Sequence, residues 1–353
     1  MVSTAMTSAS QTAAKCGGHS LRAALATAAV TLGNAHRRLL MLVLRLVGPR
    51  PAYNLMARLA RRFYDLADET RDSSEVRCRA ALGDRRAEVE IQGISRLAFV
   101  HRIWNMVDLM LAPRFLRPET CDRYGGRVPE PYLSLLLQAQ QRRQPVILVT
   151  TYYGPYDLLP VFLGLNGIRA TAVYRPHPNR AYDRYRQSVR TSTGCGMLTA
   201  SEAALNLSEI LAAGQAIALL ADPNGARHGV PISFLGESTT APRTVGLLAE
   251  RHGAIVAVAA IRRLAEPFQF QLVISDLFGP NDWRDQADVI EYITRRYCAA
   301  LEKVIFEGPE QYLWLHRRAA FAKSAASDGE ESGEVVSRGS DDSASRALAK
   351  REE

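Results

Sequence analysis

The rhythm of apolar and polar positions changes twice along this chain. Residues 1–35 are rich in Ala, Ser and Thr and carry few large apolar side chains, so the segment lacks the surface to build a core and is expected to be disordered. Over residues 36–144 apolar residues recur every three to four positions, as in "HRRLLMLVLRLVG", "AYNLMARLARRFYDLA" and "ISRLAFVHRIWNMVDLMLAPRFL", which is the spacing of helices. The third stretch is apolar on more than one side and is expected to pack on the core, with Pro113 ending or kinking it. From residue 145 short β-branched runs alternate with helical ones. "PVILVTT", "GIRATAVYRP", "QAIALLADPNG", "AIVAVAAIRRL" and "FQFQLVISDLF" read as strands; "YDRYRQSVRTSTG", "SEAALNLSEILAAG" and "TVGLLAERHG" read as helices. In the second of these helices Ser201 is the candidate N-cap and Gly214 the candidate C-cap. This order predicts an α/β fold, a largely parallel central sheet flanked by helices, over residues 145–322. After residue 323 large apolar residues all but vanish, and a disordered charged tail over residues 323–353 is expected.

Charge sharpens that division. The chain of 353 residues has a formal charge of +8, and the tail holds 8 acidic against 5 basic residues, which leaves +11 on the remainder. An anionic partner follows: nucleic acid, an acidic carrier protein or an anionic membrane surface. No Asp or Glu precedes Asp65, whereas nine Lys and Arg do. Leu, Met and Tyr at helical spacing with Arg between them is the pattern of basic amphipathic helices lying in a membrane interface. It is equally the pattern of a core-packing helix with a solvated basic face. Aromatic residues are not interleaved with the basic run as a nucleic-acid stacking platform needs, so nucleic acid is set aside. No apolar run reaches the roughly 20 residues that span a bilayer. Five widely spaced cysteines with no CxxC pair argue against a disulfide framework or a zinc site and fit a reducing compartment.

Polar clusters fall just past three strands: "TTYYGPYD", "YRPHPN" and "ADPNGARHGVPISFLG". In a parallel sheet ligands bind at the carboxyl ends of the strands, so these clusters are expected to share one cleft. Their order and content resemble the lipid A late (lauroyl and myristoyl) acyltransferases of the lysophospholipid acyltransferase superfamily, from roughly Arg38 to Phe321. Six residues, Tyr152 to Asp157, align with that family's His-x-x-x-x-Glu/Asp motif. Tyr174, Arg175 and Pro176 match its Tyr-Arg-Pro segment, with Asn179 close behind. Asp222, Pro223, Asn224, Gly229 and "ISFLG" look like its Asp-Gln-Asp turn and following loop. Ala241, Pro242 and Arg243 match its Thr-Pro helix start loosely, and "PEQYLWLHRR" at 309–318 resembles its closing signature.

The resemblance implies transfer of a fatty acyl group from an acyl carrier protein or coenzyme A thioester to a hydroxyl of a glycolipid or lysolipid. It places the protein on the cytoplasmic face of the inner membrane, as a peripheral protein. The acyl thioester serves as co-substrate, and no metal or cofactor is implied. Carried over residue by residue, it makes Tyr152 and Asp157 the catalytic positions and Arg175, Asp222, Asn224 and Arg243 substrate-binding ones. Arg175 and Arg243 suit a phosphate, since guanidinium pairs well with phosphate oxygens. The chain departs from the family at the position of its general base, where Tyr152 replaces His. An unperturbed Tyr is ionised in only about one molecule in a thousand at pH 7, a cost of about 4 kcal/mol for forming the base. His177 and His228, in neighbouring loops, are the candidate substitutes; His101, His252 and His316 read as packing or surface residues. Two functions follow: a membrane-surface acyltransferase with altered base chemistry, or a catalytically silent relative that binds lipid, acyl chains or a partner enzyme.

Overall fold

The computed structural model describes residues 39–223 and 225–315. The expectations for residues 1–35 and 323–353, and for Asn224, His316 and Arg317, lie outside the described residues. The helical part comprises α1 (39–47), α2 (Pro49–Leu66), α3 (Asp68–Leu82), α4 (Glu88–Phe115), α5 (Cys121–Tyr124) and α6 (Tyr132–Gln141). Pro49 and Pro51 open α2 where their missing N–H groups cost nothing, and its buried face is Ala52, Tyr53, Ala57, Ala60 and Tyr64. Small residues on that face let the helix lie close against α4. Pro113 does not stop α4; it sits inside the last turn, and the helix runs on to Phe115.

The α/β part follows in the order β1 (Val146–Thr150), α7 (Leu159–Leu165), β2 (Ala170–Tyr174), α8 (Arg180–Arg190), β3 (Gly196–Thr199), α9 (Ala200–Ala212), β4 (Ala216–Leu220), β5 (Val230–Phe234), β6 (Glu237–Ala241), α10 (Thr244–His252), β7 (Ile255–Arg263), β8 (Phe270–Phe278), α11 (Pro280–Trp283) and α12 (Val289–Glu307). Six strands form one sheet in the order β3-β2-β4-β1-β7-β8. The first five run parallel and β8 pairs antiparallel with β7, which is the largely parallel sheet expected from the strand–helix alternation. All five residues of β1 are buried, as an apolar β-branched strand covered on both faces requires. Ile147 and Val149 join a core shared with Leu211, Val245, Tyr297 and Leu301. Val146 and Leu148 face a second core with Leu111, Leu136 and Phe162.

Two features escaped the pattern of apolar positions. β3 is a four-residue edge strand, half-buried throughout, that begins at Gly196 just after Gly194, too short and too exposed to announce itself. The stretch read as a loop after β4 forms the antiparallel hairpin of β5 and β6. Thr199, not Ser201, caps α9: its hydroxyl accepts from the Glu202 N–H while Glu202 reaches back to the Thr199 N–H. That reciprocal pair satisfies two donors, which Ser201 two residues further in cannot do. Gly253 closes α10 in the left-handed conformation. No helix among the described residues is long and apolar enough to cross a membrane.

Candidate active site

β1 ends at Thr150 and runs straight into the Tyr152–Asp157 turn. Gly154 takes φ +53°, and a Cβ there would lie 1.9 Å from the Ile261 carbonyl oxygen, so no larger residue fits without moving β7. The turn is held from the other side by the closing segment of the fold. Gly154 donates its N–H to the Gln311 carbonyl at 2.9 Å, and the Leu313 N–H donates to the Tyr152 carbonyl at 2.9 Å. Tyr153 and Tyr312 thereby form a β-bridge. Trp314 is buried beside Tyr312 and donates its indole N–H to Pro309. The stretch that most resembles the family's closing signature is therefore the physical partner of the motif turn.

Asp222, just past β4, ties these pieces together. Its carboxylate accepts from the Thr151 hydroxyl at 2.7 Å, the Tyr312 hydroxyl at 2.8 Å and the Tyr152 backbone N–H at 3.2 Å. Two strand ends and the closing segment thus share one charged acceptor, and such charge-assisted bonds are stronger than neutral ones.

Tyr152 is half-buried, its ring edge-on to Tyr156 with centroids 5.1 Å apart. Burial pushes its phenol above the ordinary value, and the charge of Asp222 adds to this; Arg175 pulls the other way without reversing the result. The phenol keeps its proton at neutral pH, which makes Tyr152 a hydrogen-bond donor and not a base.

Asp157 turns towards α8. Arg186 donates to both of its carboxylate oxygens, at 3.1 and 3.3 Å, and Arg190 donates to Oδ1. Burial alone would raise the Asp157 carboxyl; the charges and hydrogen bonds of Arg190 and Arg186 outweigh it and hold the group below the usual carboxylate range. Of the two carboxylates, Asp222 acts on Tyr152 more strongly than Asp157 does. Arg186 and Arg190 were missed in the sequence, although a signal was present. Two arginines four apart on one helical face repel unless a carboxylate lies between them.

The remaining expected residues divide. Arg175, at the end of β2, is exposed and near enough for its charge to act on Tyr152. Arg243 begins α10 and is not among the charged groups that act most on Tyr152. His177 is engaged within its own loop: its Nδ1 accepts from the Asn179 N–H at 3.0 Å and its backbone N–H donates to Asp183 at 2.8 Å. His228 is exposed in the turn before β5. His101 is buried, and burial together with Arg263 keeps it neutral. His252, the last residue of α10, shares a hydrogen bond with Ser208 of α9.

A charged turn at the end of β1, held by Asp222 after β4 and by the closing segment, defines an α/β protein whose candidate residues gather at the carboxyl ends of a parallel sheet. Comparison with known families carries this further: the family described as bacterial lipid A biosynthesis acyltransferase matches residues 24–320, and the chain belongs to it. Over 193 residues it is 27% identical to the lipid A biosynthesis palmitoleoyltransferase of Escherichia coli (strain K12), covering 53% of this chain and 59% of that protein. The lipid A biosynthesis acyltransferase of Shigella flexneri matches to the same extent. The chain thus spans little more than half the length of these relatives.

Proposed function

We propose that the protein is an O-acyltransferase working at a membrane surface, moving a fatty acyl group from an acyl carrier protein or coenzyme A thioester to a hydroxyl of a glycolipid or lysolipid. The observation that carries this reading is the convergence of Tyr152, Arg175 and Asp222 at one edge of the sheet, in a chain of the lipid A acyltransferase family. In this reading the Tyr152 phenol donates a hydrogen bond to the thioester oxygen on which charge develops as the acceptor hydroxyl attacks; the C–S bond then breaks and the hydroxyl's proton leaves with the thiolate, giving ester and free thiol. A positioned donor of that kind is worth about 10²-fold or more in rate. Arg175 and Arg243 are assigned to anionic parts of the substrates, Asn224 to the lining of the cleft, and Asp222 to holding the turn.

A second reading, a silent relative that binds lipid or acyl chains, is favoured by one observation: the Asp157 oxygens are occupied by Arg186 and Arg190 and not offered to a base. The two readings separate in an assay of purified protein with an acyl thioester and a mixed lysolipid and glycolipid acceptor. Transfer by the natural sequence that Tyr152→Phe lowers about 100-fold supports the enzyme. Transfer seen only after Tyr152→His, alone or with Arg186→Gln, leaves the silent relative.

A further inference from the structure

Residues 39–66 carry 10 of the 19 large apolar side chains that stand exposed among the described residues. On α2 they form a stripe: Leu55, Leu59 and Phe63 follow at four-residue spacing, with Phe63 63% and Leu66 76% exposed. Arg58, Arg61 and Arg62 are exposed alongside. The opposite face of α2, Ala52, Ala57, Ala60 and their tyrosines, is buried, so the stripe is left uncovered among the described residues. Concentrated exposed apolar surface marks an interaction site.

Charge decides what covers it. A second copy would bring these arginines against each other, because no acidic residue precedes Asp65 to pair with them. An anionic bilayer supplies hydrocarbon for the stripe and negative headgroups for the arginines at once.

The position of this surface matters for the site. Arg45, in α1, donates from Nε to the Met110 carbonyl at 2.8 Å and from its guanidinium to the Tyr185 hydroxyl at 3.3 Å. The next residue of α8, Arg186, holds Asp157. α8 therefore contacts both α1 and the motif turn.

We propose that α1 and α2 lie in the plane of an anionic bilayer, with Leu55, Leu59 and Phe63 in the acyl region and Arg58, Arg61 and Arg62 at the headgroups, seating the candidate site at the lipid surface. Only the last clause rests on the proposed function; the docking stands on the surface itself.

The test is flotation of the full chain with vesicles of phosphatidylcholine alone and of phosphatidylcholine with phosphatidylglycerol. Binding is expected to the anionic vesicles and to weaken with salt. Leu59→Ser with Phe63→Ser, both exposed and so harmless to folding, is expected to weaken it at least about tenfold, and each of Arg58→Gln, Arg61→Gln and Arg62→Gln about fivefold. Undiminished binding in all these variants, or none by the natural sequence, overturns the proposal. So does a dimer in light scattering that Phe63→Ser dissociates without any vesicle binding. Docking as expected with no acyl transfer would sink the proposed activity and leave the docking intact.

Discussion

At the carboxyl-terminal edge of the sheet, arginine meets aspartate in two places, under different conditions. Arg263, the last residue of β7, pairs with Asp108 of α4 in a setting where both side chains are essentially inaccessible. Tyr53 of α2 donates to the same carboxylate, and the Arg263 guanidinium also reaches Asn105 and His101. Burial pushes Asp108 above the ordinary carboxylate range, and Arg263 only partly offsets this. Asp157 has two arginines and ends up below that range. The contrast shows that what a buried carboxylate becomes depends on how many cations face it as much as on depth. The first pairing fastens the helical layer to the sheet; the second ties the turn after β1 to α8.

Changes that unpair these groups separate the two roles. The largest effect is expected for Arg263→Met, which strands Asp108 without that counter-charge and should cost about 3–5 kcal/mol, read from the urea midpoint. Adding Asp108→Leu should recover most of that loss, since a well-packed apolar pair is often neutral; no recovery would mean that the pair does more than compensate charge. Asp222→Ala, which removes an acceptor shared by three donors, should cost about 2–3 kcal/mol of stability by the same measurement. Arg186→Gln leaves Arg190 on Asp157 and should cost about 1 kcal/mol or less, so a loss as large as that of Arg263→Met would erase the distinction.

The smallest effect concerns pH. Because Asp157 is depressed in the fold, its contribution is complete above the ordinary carboxylate value near 4 and is lost as pH falls through the lower folded value. Asp108 is raised, so its ionisation removes stability as pH rises through its folded value. Asp157→Asn should therefore lose stability less steeply than the natural protein below about pH 4, in denaturation curves taken between about pH 3 and 6. An unchanged acid limb would show that the arginine pair does not hold Asp157 as described.

Much of this is legible in the chain itself. "PVILVTT" could only be a buried strand, and the strand–helix alternation dictated a parallel sheet with its clusters on one edge. The link between Asp157 and α8 was not legible there, because Asp157 and Arg190 are 33 residues apart and a helical face does not say which strand end it will meet. Thr151, Tyr312 and Asp222 were likewise unconnected until β4 lay beside β1.

What the sequence determined by itself was periodicity and composition: which segments form helices or strands, and that the first 64 residues carry only positive charge. These are local properties, set by spacing of apolar residues and side-chain chemistry. Tertiary structure decided the partners. The pairing of β4 with β1 brings Asp222 to Tyr152, and the packing of α4 against the sheet brings Asp108 to Arg263, because hydrogen bonds and ion pairs act over a few ångströms whatever the separation along the chain.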